Sequence, residues 1–339
     1  MMYFHKSSCI SPQGNLETLQ KSVDNWLVAK EPSYENIPRG VLRRMGKAVR
    51  IGVGAALPLI AEEDNLGGII LGTANGGMED CIRFLNQIIE YDEGNLTPTN
   101  FVQSTTNAIA GQIGLMAKST AYNTTHVHRG LAFENALLDA SFISGENPEQ
   151  SILVGGVDEI STYNYNIDFL AGWYKKEELD NTELYQNNNQ GSLAGEGSAM
   201  FVVSQNAENA VMKLEALRTI HTTDLTDLSA IIEELKSEYN ITTILSGENG
   251  DSRITPFYEK AENSLPDASV WRYKHLSGEY PTSTSFALWL AMKAFEDHEL
   301  SPLIDVKRGD THLPEKENCI LIYNTYHGNQ HGFMVVRSS

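Results

Sequence analysis

The sequence predicts an α/β protein built from two similar halves, and three observations carry that expectation. Apolar, β-branched runs of strand length alternate with longer segments of helical period along the whole chain. Several of those runs, such as "LGGIILGTA" (66–74) and "ILVGGVDE" (152–159), are apolar up to their polar ends, as in strands covered on both faces. The chain has 339 residues, enough for one large unit or two fused across a common core.

The elements follow in order. "YFHKSSCIS" reads as a strand and "VLRRMGKAVRIGVGAALPLIAE" as a helical stretch. "LGGIILGTA" is the next strand, and "GGMEDCIRFLNQIIEY" a helix entered through glycines. "TTNAIAGQIGLMAKS" is a further helix, with Asn107, Gly111 and Gly114 allowing close packing, and "AYNTTHV" a strand. An alanine- and leucine-rich helix follows at "LAFENALLDA", then the strands "ILVGGVDE", "SAMFVVSQ" and "VMKLEALRTIH". The boundary is expected at 221/222, giving halves 1–221 and 222–339. The second half repeats the logic with the helices "LSAIIEELKSEY", "ITPFYEKAENSL" and "STSFALWLAMKAFEDH". Its strands are "ITTILSG", "SVWRYKH", "NCILIYN" and "GFMVVRS". One segment, "YKKEELDNTELYQNNNQGS" (174–192), is polar and Asn/Gln-rich, and is expected to be an irregular surface loop or cap.

Composition narrows the function classes. Hydrophobic residues make up 41% and charged residues 20%, as in ordinary globular proteins. The formal charge of −19 argues against a nucleic-acid groove and against an anionic-lipid surface. A local basic stretch, "PRGVLRRMGKAVR" (38–50), reads as one amphipathic helix with a solvated basic face, and an acidic partner or phosphate is the sharper alternative. Cys9, Cys81 and Cys319 are odd in number and scattered, so no disulfide framework is implied. No apolar run reaches the roughly 18 residues of a membrane span, and the N-terminus does not read as a signal peptide. A cytoplasmic protein is expected.

Five motifs then fall into one order. "NFVQSTTNAIAGQIGLM" (100–116), "ILVGGVDEIS" (152–161), "GEGSAMFVVS" (195–204), "KHLSGEYPTSTSFAL" (274–288) and "IYNTYHGNQHGFMVV" (322–336) span nearly the whole chain. In this order they resemble the β-ketoacyl synthases, and the resemblance implies a thiolase fold. That fold is two pseudo-repeated α/β halves in an α-β-α-β-α core, usually dimeric. In that family a nucleophilic cysteine sits on the turn into the junction helix. Here "THVHRGLAFEN" places Val127 at that position, or His126 with the gap one residue earlier, beside His128 and Arg129. The family's first histidine falls in "SGENGDS" (246–252), which has none, and its second falls on Glu279. Lys274 and Gly278 keep their places, while Asn324 and His327 lie in the altered oxyanion loop "NTYHGNQHG". An imidazole donates to the developing oxyanion, and an ionised carboxylate only accepts. No catalytic residue is therefore expected.

The resemblance implies instead a degenerate, chain-length-factor-like subunit, similar to those of flexirubin- and aryl-polyene-type polyene biosynthesis. Such a subunit pairs with an active ketosynthase and shapes its acyl tunnel, and acyl carrier protein reaches the pair through that synthase. Asn107, Ile109, Gln112, Ile113 and Met116 are the interface or tunnel candidates. The alternatives are a stand-alone acyltransferase or thioesterase using His126 or His128, or an acyl-binding homodimeric scaffold. Zinc bound by His126 and His128, with a third ligand from Glu134, Glu279, His327 or His331, is disfavoured because the ligand spacing is poor. No metal and no cofactor are expected. Cys81, Cys9 and Cys319 read as packing residues, and Glu134, Asp158, Glu159 and Glu196 as bracing carboxylates.

Overall fold

The computed structural model describes residues 2–61, 63, 65–187, 189–297, 302–311, 313 and 318–339. Eleven strands form one continuous hydrogen-bonded sheet. They are β1 Met2–Ile10, β2 Leu66–Gly72, β3 Tyr122–His126, β4 Ser151–Asp158, β5 Gly197–Ser204 and β6 Met212–His221. There follow β7 Thr243–Ser246, β8 Ser269–Arg272, β9 Asp305–Arg308, β10 Cys319–Tyr326 and β11 Gln330–Ser338. The helices of eight or more residues are α1 Lys47–Ile60, α2 Met78–Glu90, α3 Ala108–Ala117, α4 Ala132–Glu146, α5 Thr162–Leu170, α6 Leu225–Glu238, α7 Thr255–Ser264 and α8 Thr284–Asp297.

The pairing pattern repeats. In the first half the spatial order is β1-β5-β4-β2-β3, and in the second it is β6-β11-β10-β7-β8, with β9 added at the outer edge. Each half runs antiparallel, antiparallel, parallel, parallel from its first strand outward. The halves join where Met2–Phe4 pair with Met212–Leu214. In this pairing β6 opens the second repeat, ahead of the expected 221/222 boundary.

Three apolar clusters account for the layers. Ile51, Val53, Ile109, Ile113, Leu153 and Val202 bury α1 and α3 against one face of the first half-sheet. Leu228, Ile232, Tyr258, Ile244 and Leu321 do the same for α6 and α7 on the second. Between the half-sheets α4 and α8 form a central layer, where Phe133, Leu137, Phe286 and Leu290 meet Phe201, Ile322 and Met334. Phe133, Leu137 and Phe286 have no exposed surface at all; α8 is apolar over most of its surface, as an enclosed helix must be, while α4 keeps one face open with Leu138 and Phe142 exposed.

Two sequence expectations are corrected. The basic helix over 38–50 is broken: a single turn, Arg39–Leu42, ends before Gly46, whose extended backbone (ψ 166°) caps the start of α1. A side chain at Gly46 would strike the Asp80 carboxylate, which explains the glycine and the break. The 174–192 segment is irregular and partly exposed, but it is anchored in the interior and not simply solvated. Leu184 and Asn181 are fully buried, and the Lys175 ammonium sits in the interior on Asn189 Oδ1 (2.5 Å) and the Gly250 carbonyl (3.1 Å). Asn181 donates to the carbonyl of His275 at 2.8 Å, so this strap is tied across the loop that carries Lys274 and Glu279.

Candidate functional site

The five motifs converge at the centre of the molecule. Strand β3 delivers His126, the turn carries Val127 and His128, and a single 3-10 turn, Arg129–Leu131, leads into α4. Gly130 is forced by proximity, since a Cβ there would collide with the Tyr326 ring. Its N–H donates to Gln330 Oε1 at 3.0 Å, which pins the turn to the start of β11.

No group on this turn can form a thioester. Val127 is 52% exposed and points out of the molecule. His126 Nε2 lies 2.8 Å from Asp139 Oδ2 on α4, and Tyr122 donates to the same oxygen at 3.1 Å. His128 Nδ1 is engaged by the Asn135 amide at 2.7 Å. The two histidines therefore hold different partners, and among the described residues no group of three His, Cys, Asp or Glu side chains is arranged to hold a metal ion.

Behind the turn lies a closed ionic network. Lys274, with no exposed surface, donates from Nζ to Glu279 Oε1 (2.9 Å), Glu279 Oε2 (3.0 Å) and Ser283 Oγ (2.6 Å). Asn249 Nδ2 donates to Glu279 Oε2 at 2.7 Å. The loop where the family's first histidine falls thus supplies an amide that neutralises nothing and locks Glu279 in place. The Glu279 backbone is clipped on both sides: its N–H reaches the Leu193 carbonyl (2.7 Å), and its carbonyl accepts from Gly195 (2.9 Å). Gly195 and Gly278 (φ +69°) make that approach possible, because a side chain on either would strike the other segment's backbone. Desolvation pushes the Lys274 amine below its ordinary range, and the Glu279 charge beside it works in the opposite direction.

The mouth of this region is filled by stacked rings. His327, held at φ +54°, lies between Trp173 (3.8 Å, 3° between planes) and Tyr326 (3.9 Å, 17°). The Arg253 guanidinium covers Trp173 at 4.0 Å. Burial, with Arg129 and Arg253 adding to it, drives the His327 pKa down to about 3, so this imidazole is neutral. Asn324 is buried beneath, its Oδ1 within 3.4 Å of the Tyr258 hydroxyl. His331 is buried between the Tyr323 hydroxyl (3.0 Å) and the Thr222 carbonyl (3.0 Å).

The carboxylates divide. Asp158 accepts from Ala74 N (2.9 Å), Asn75 N (2.8 Å) and Thr282 Oγ1 (2.8 Å), joining β4 to the start of α8. Glu196 accepts from Ala29 N and Ile160 N, both at 2.8 Å, and pairs with Lys47. Glu159 accepts from Ala48 N at 3.0 Å. Glu134 differs: it is buried against Gly332, both its oxygens lack a hydrogen-bond partner, and burial raises its pKa to about 7. Nothing in "LAFENALL" distinguishes it from a surface glutamate.

Of the five interface candidates, Ile109 and Ile113 are fully buried in this chain's own packing against α1, so they are core residues and offer no surface to a partner. Asn107 braces β3 instead, accepting from Thr125 Oγ1 (2.8 Å) and donating to Asn123 Oδ1 (3.2 Å). Gln112 and Met116 remain partly exposed. Asn249, Ser283 and Trp173 were not singled out from the sequence; Asn249 and Ser283 lay in segments aligned with the family, and Trp173 lay in none.

A doubled five-strand repeat, with two helices between the half-sheets and the site on the turn into one of them, is the thiolase-like ketosynthase fold. Residues 18–168 match the family model "Beta-ketoacyl synthase, N-terminal domain". Solved structures share the fold over the whole chain. A β-ketoacyl synthase from Burkholderia phymatum STM815 aligns with TM-score 0.78 and 13% identity, covering 100% of this chain and 99% of its own. The ishigamide ketosynthase/chain length factor aligns with TM-score 0.71 and 16% identity, covering 99% of each chain. The ketosynthase ApeO in complex with its chain length factor ApeC, from Xenorhabdus doucetiae, aligns with TM-score 0.75 and 11% identity, covering 100% and 98%. No curated protein matches the chain by sequence. Among the described residues no helix is long and apolar enough to cross a membrane.

Proposed function

We propose that this chain is the non-catalytic, chain-length-factor-like member of a two-subunit ketosynthase, pairing with an active synthase and shaping its acyl tunnel in polyene or fatty-acid-type biosynthesis. The observation that supports this reading is the turn where the resemblance puts the nucleophile, at Val127 or His126: it holds an exposed valine and a histidine paired with Asp139, ahead of a lysine locked onto a glutamate. Acyl transfer by the family's route needs a thiol nucleophile at this turn, and residues 126–131 supply none. The outer edge of β3, the last strand of the sheet, carries no ladder partner among the described residues and is the natural site of pairing. Large apolar side chains stand exposed near it, including Leu115 at 75% on α3, with Leu138 and Phe142 on α4. The acidic surface fits a subunit that leaves docking of acyl carrier protein to the synthase.

The test is native mass spectrometry of the chain co-expressed with ketosynthases of the same genome, followed by product analysis. A one-to-one complex that makes product only when both subunits are present supports the reading. A stable homodimer that ignores every synthase, or thioester turnover by the chain alone, sinks it.

A further inference from the structure

Lys274, Glu279 and Asn249 are three buried groups that can react with one another. Glu279 Oε2 accepts from the Lys274 amine (3.0 Å) and from the Asn249 amide (2.7 Å). One carboxylate oxygen thus holds the two nitrogens within two hydrogen-bond lengths of each other. The amide oxygen of Asn249, Oδ1, accepts the Asp251 backbone N–H at 3.1 Å. Ser283 Oγ accepts from the amine at 2.6 Å and helps fix its place. The Asn249 main-chain carbonyl accepts from Ser192 Oγ at 2.7 Å, so this residue is held by its backbone as well as its side chain.

These are the parts of a transamidation. A lysine amine in an apolar interior is a nucleophile once it gives up its proton, and burial already draws Lys274 toward the neutral form. A carboxylate that touches both nitrogens can take a proton from one and pass it to the other. A backbone N–H on the amide oxygen stabilises the negative charge that gathers there. The other fully buried lysine lacks this set. Lys175 reaches Asn189 Oδ1 (2.5 Å), but no carboxylate among the described residues is bonded to both.

We propose that Lys274 and Asn249 become joined by a side-chain amide bond, with Glu279 carrying the protons and the Asp251 N–H holding the oxyanion. Lys274 Nζ first hands a proton to Glu279. Its lone pair then bonds to Asn249 Cγ, and the negative charge passes to Oδ1. Glu279 gives its proton to Nδ2 and takes a second one from Nζ. The Cγ–Nδ2 bond breaks and ammonia leaves. Glu279 ends as a neutral acid beside a neutral amide, and nothing is oxidised or reduced. The bond stitches the 246–252 loop to the 274–279 loop and holds this closed region shut for good. It forms within one chain and does not depend on pairing with a synthase.

The test is the mass of the wild-type chain, purified, kept for several days in neutral buffer and then unfolded. It is expected to be lighter than its sequence by one ammonia, about 17 Da. Trypsin should release a branched peptide joining 237–253 to 273–293, uncut after Lys274. Full mass with both peptides linear overturns the inference. So does a loss of water, about 18 Da, with Lys274 joined to Glu279. Ammonia lost without a branch, the mark of Asn249 cyclising onto Gly250, overturns it as well. Lys274→Met should restore the full mass, and ammonia still missing from that variant counts against the bond. The deciding measurement is made on the wild-type chain, so it stands whether or not a variant folds.

Discussion

Lys274 gives two hydrogen bonds to Glu279, one to each carboxylate oxygen, in a place no water reaches. In a working ketosynthase-type site, by the resemblance, the second position would be a histidine free to donate. Here the carboxylate consumes the lysine's hydrogens and accepts one more from Asn249. The two charges depend on each other, because a buried ion stripped of its partner keeps its full desolvation cost. Glu279→Ala should therefore destabilise the fold by about 3 to 5 kcal/mol, measured by denaturant unfolding. The Val127→Cys, Glu279→His double variant should still show no decarboxylation or acyl loading by mass spectrometry, because the ring-filled mouth remains.

Glu134 gives the fold a pH dependence of definite sign. Its folded pKa is raised from 4.5 to about 7 by burial. Between those values the folded chain keeps a proton that the unfolded chain has released, so stability falls as pH rises through that window. Its contribution is fully present below pH 4.5, and the whole shift amounts to about 3 kcal/mol. Glu134→Gln should remove that slope, with its melting temperature pulling ahead of wild type from pH 5 to pH 8. Parallel curves would show that the carboxyl finds a partner in solution.

Tunnel length is the next expectation. Gln112 and Met116 are the two candidates on α3 that are neither in the core nor committed to bracing β3. Enlarging either should shorten the product of the complex, and truncating either should lengthen it, as read by mass spectrometry of the released acyl chains. A series with unchanged products would take the tunnel away from this helix.

The repeat, and with it the fold class, was legible because burial on both faces leaves a strand with no polar positions: β4 and β5 are buried residue after residue. What escaped notice was polar. Strand β9, "DVKR", is four residues at the sheet's outer edge, with one apolar side chain, Val306, on the core and the Arg272–Asp305 ion pair tying it to β8. The strap over 174–192 looked like a solvated loop because its amides and Lys175 are satisfied by backbone carbonyls, and composition cannot tell a carbonyl from a water. The site was half visible. The missing nucleophile and the Glu279 substitution stand in the sequence, but the plug requires Trp173 to meet His327 over a gap of more than 150 residues.

The two histidines of the turn offer a sharp contrast between readings. Since His126 is held by Asp139 and His128 by Asn135, His126→Ala and His128→Ala should leave product formation by the complex within about threefold of wild type, given that surface substitutions of this kind change stability little. A stand-alone thioesterase or acyltransferase would be abolished by one of them.

The sheet ends, on the side of the first half, in a strand whose outer edge has no ladder partner among the described residues. Tyr122–His126 can recruit any extended segment of matching length, including another copy of itself. Such a chain is safest when it is made in step with whatever completes it. On the proposed pairing, an excess over the partner would not simply idle as spare subunit; it would leave an open ladder, and the ratio in which the two chains are synthesised would set how much of it stays exposed.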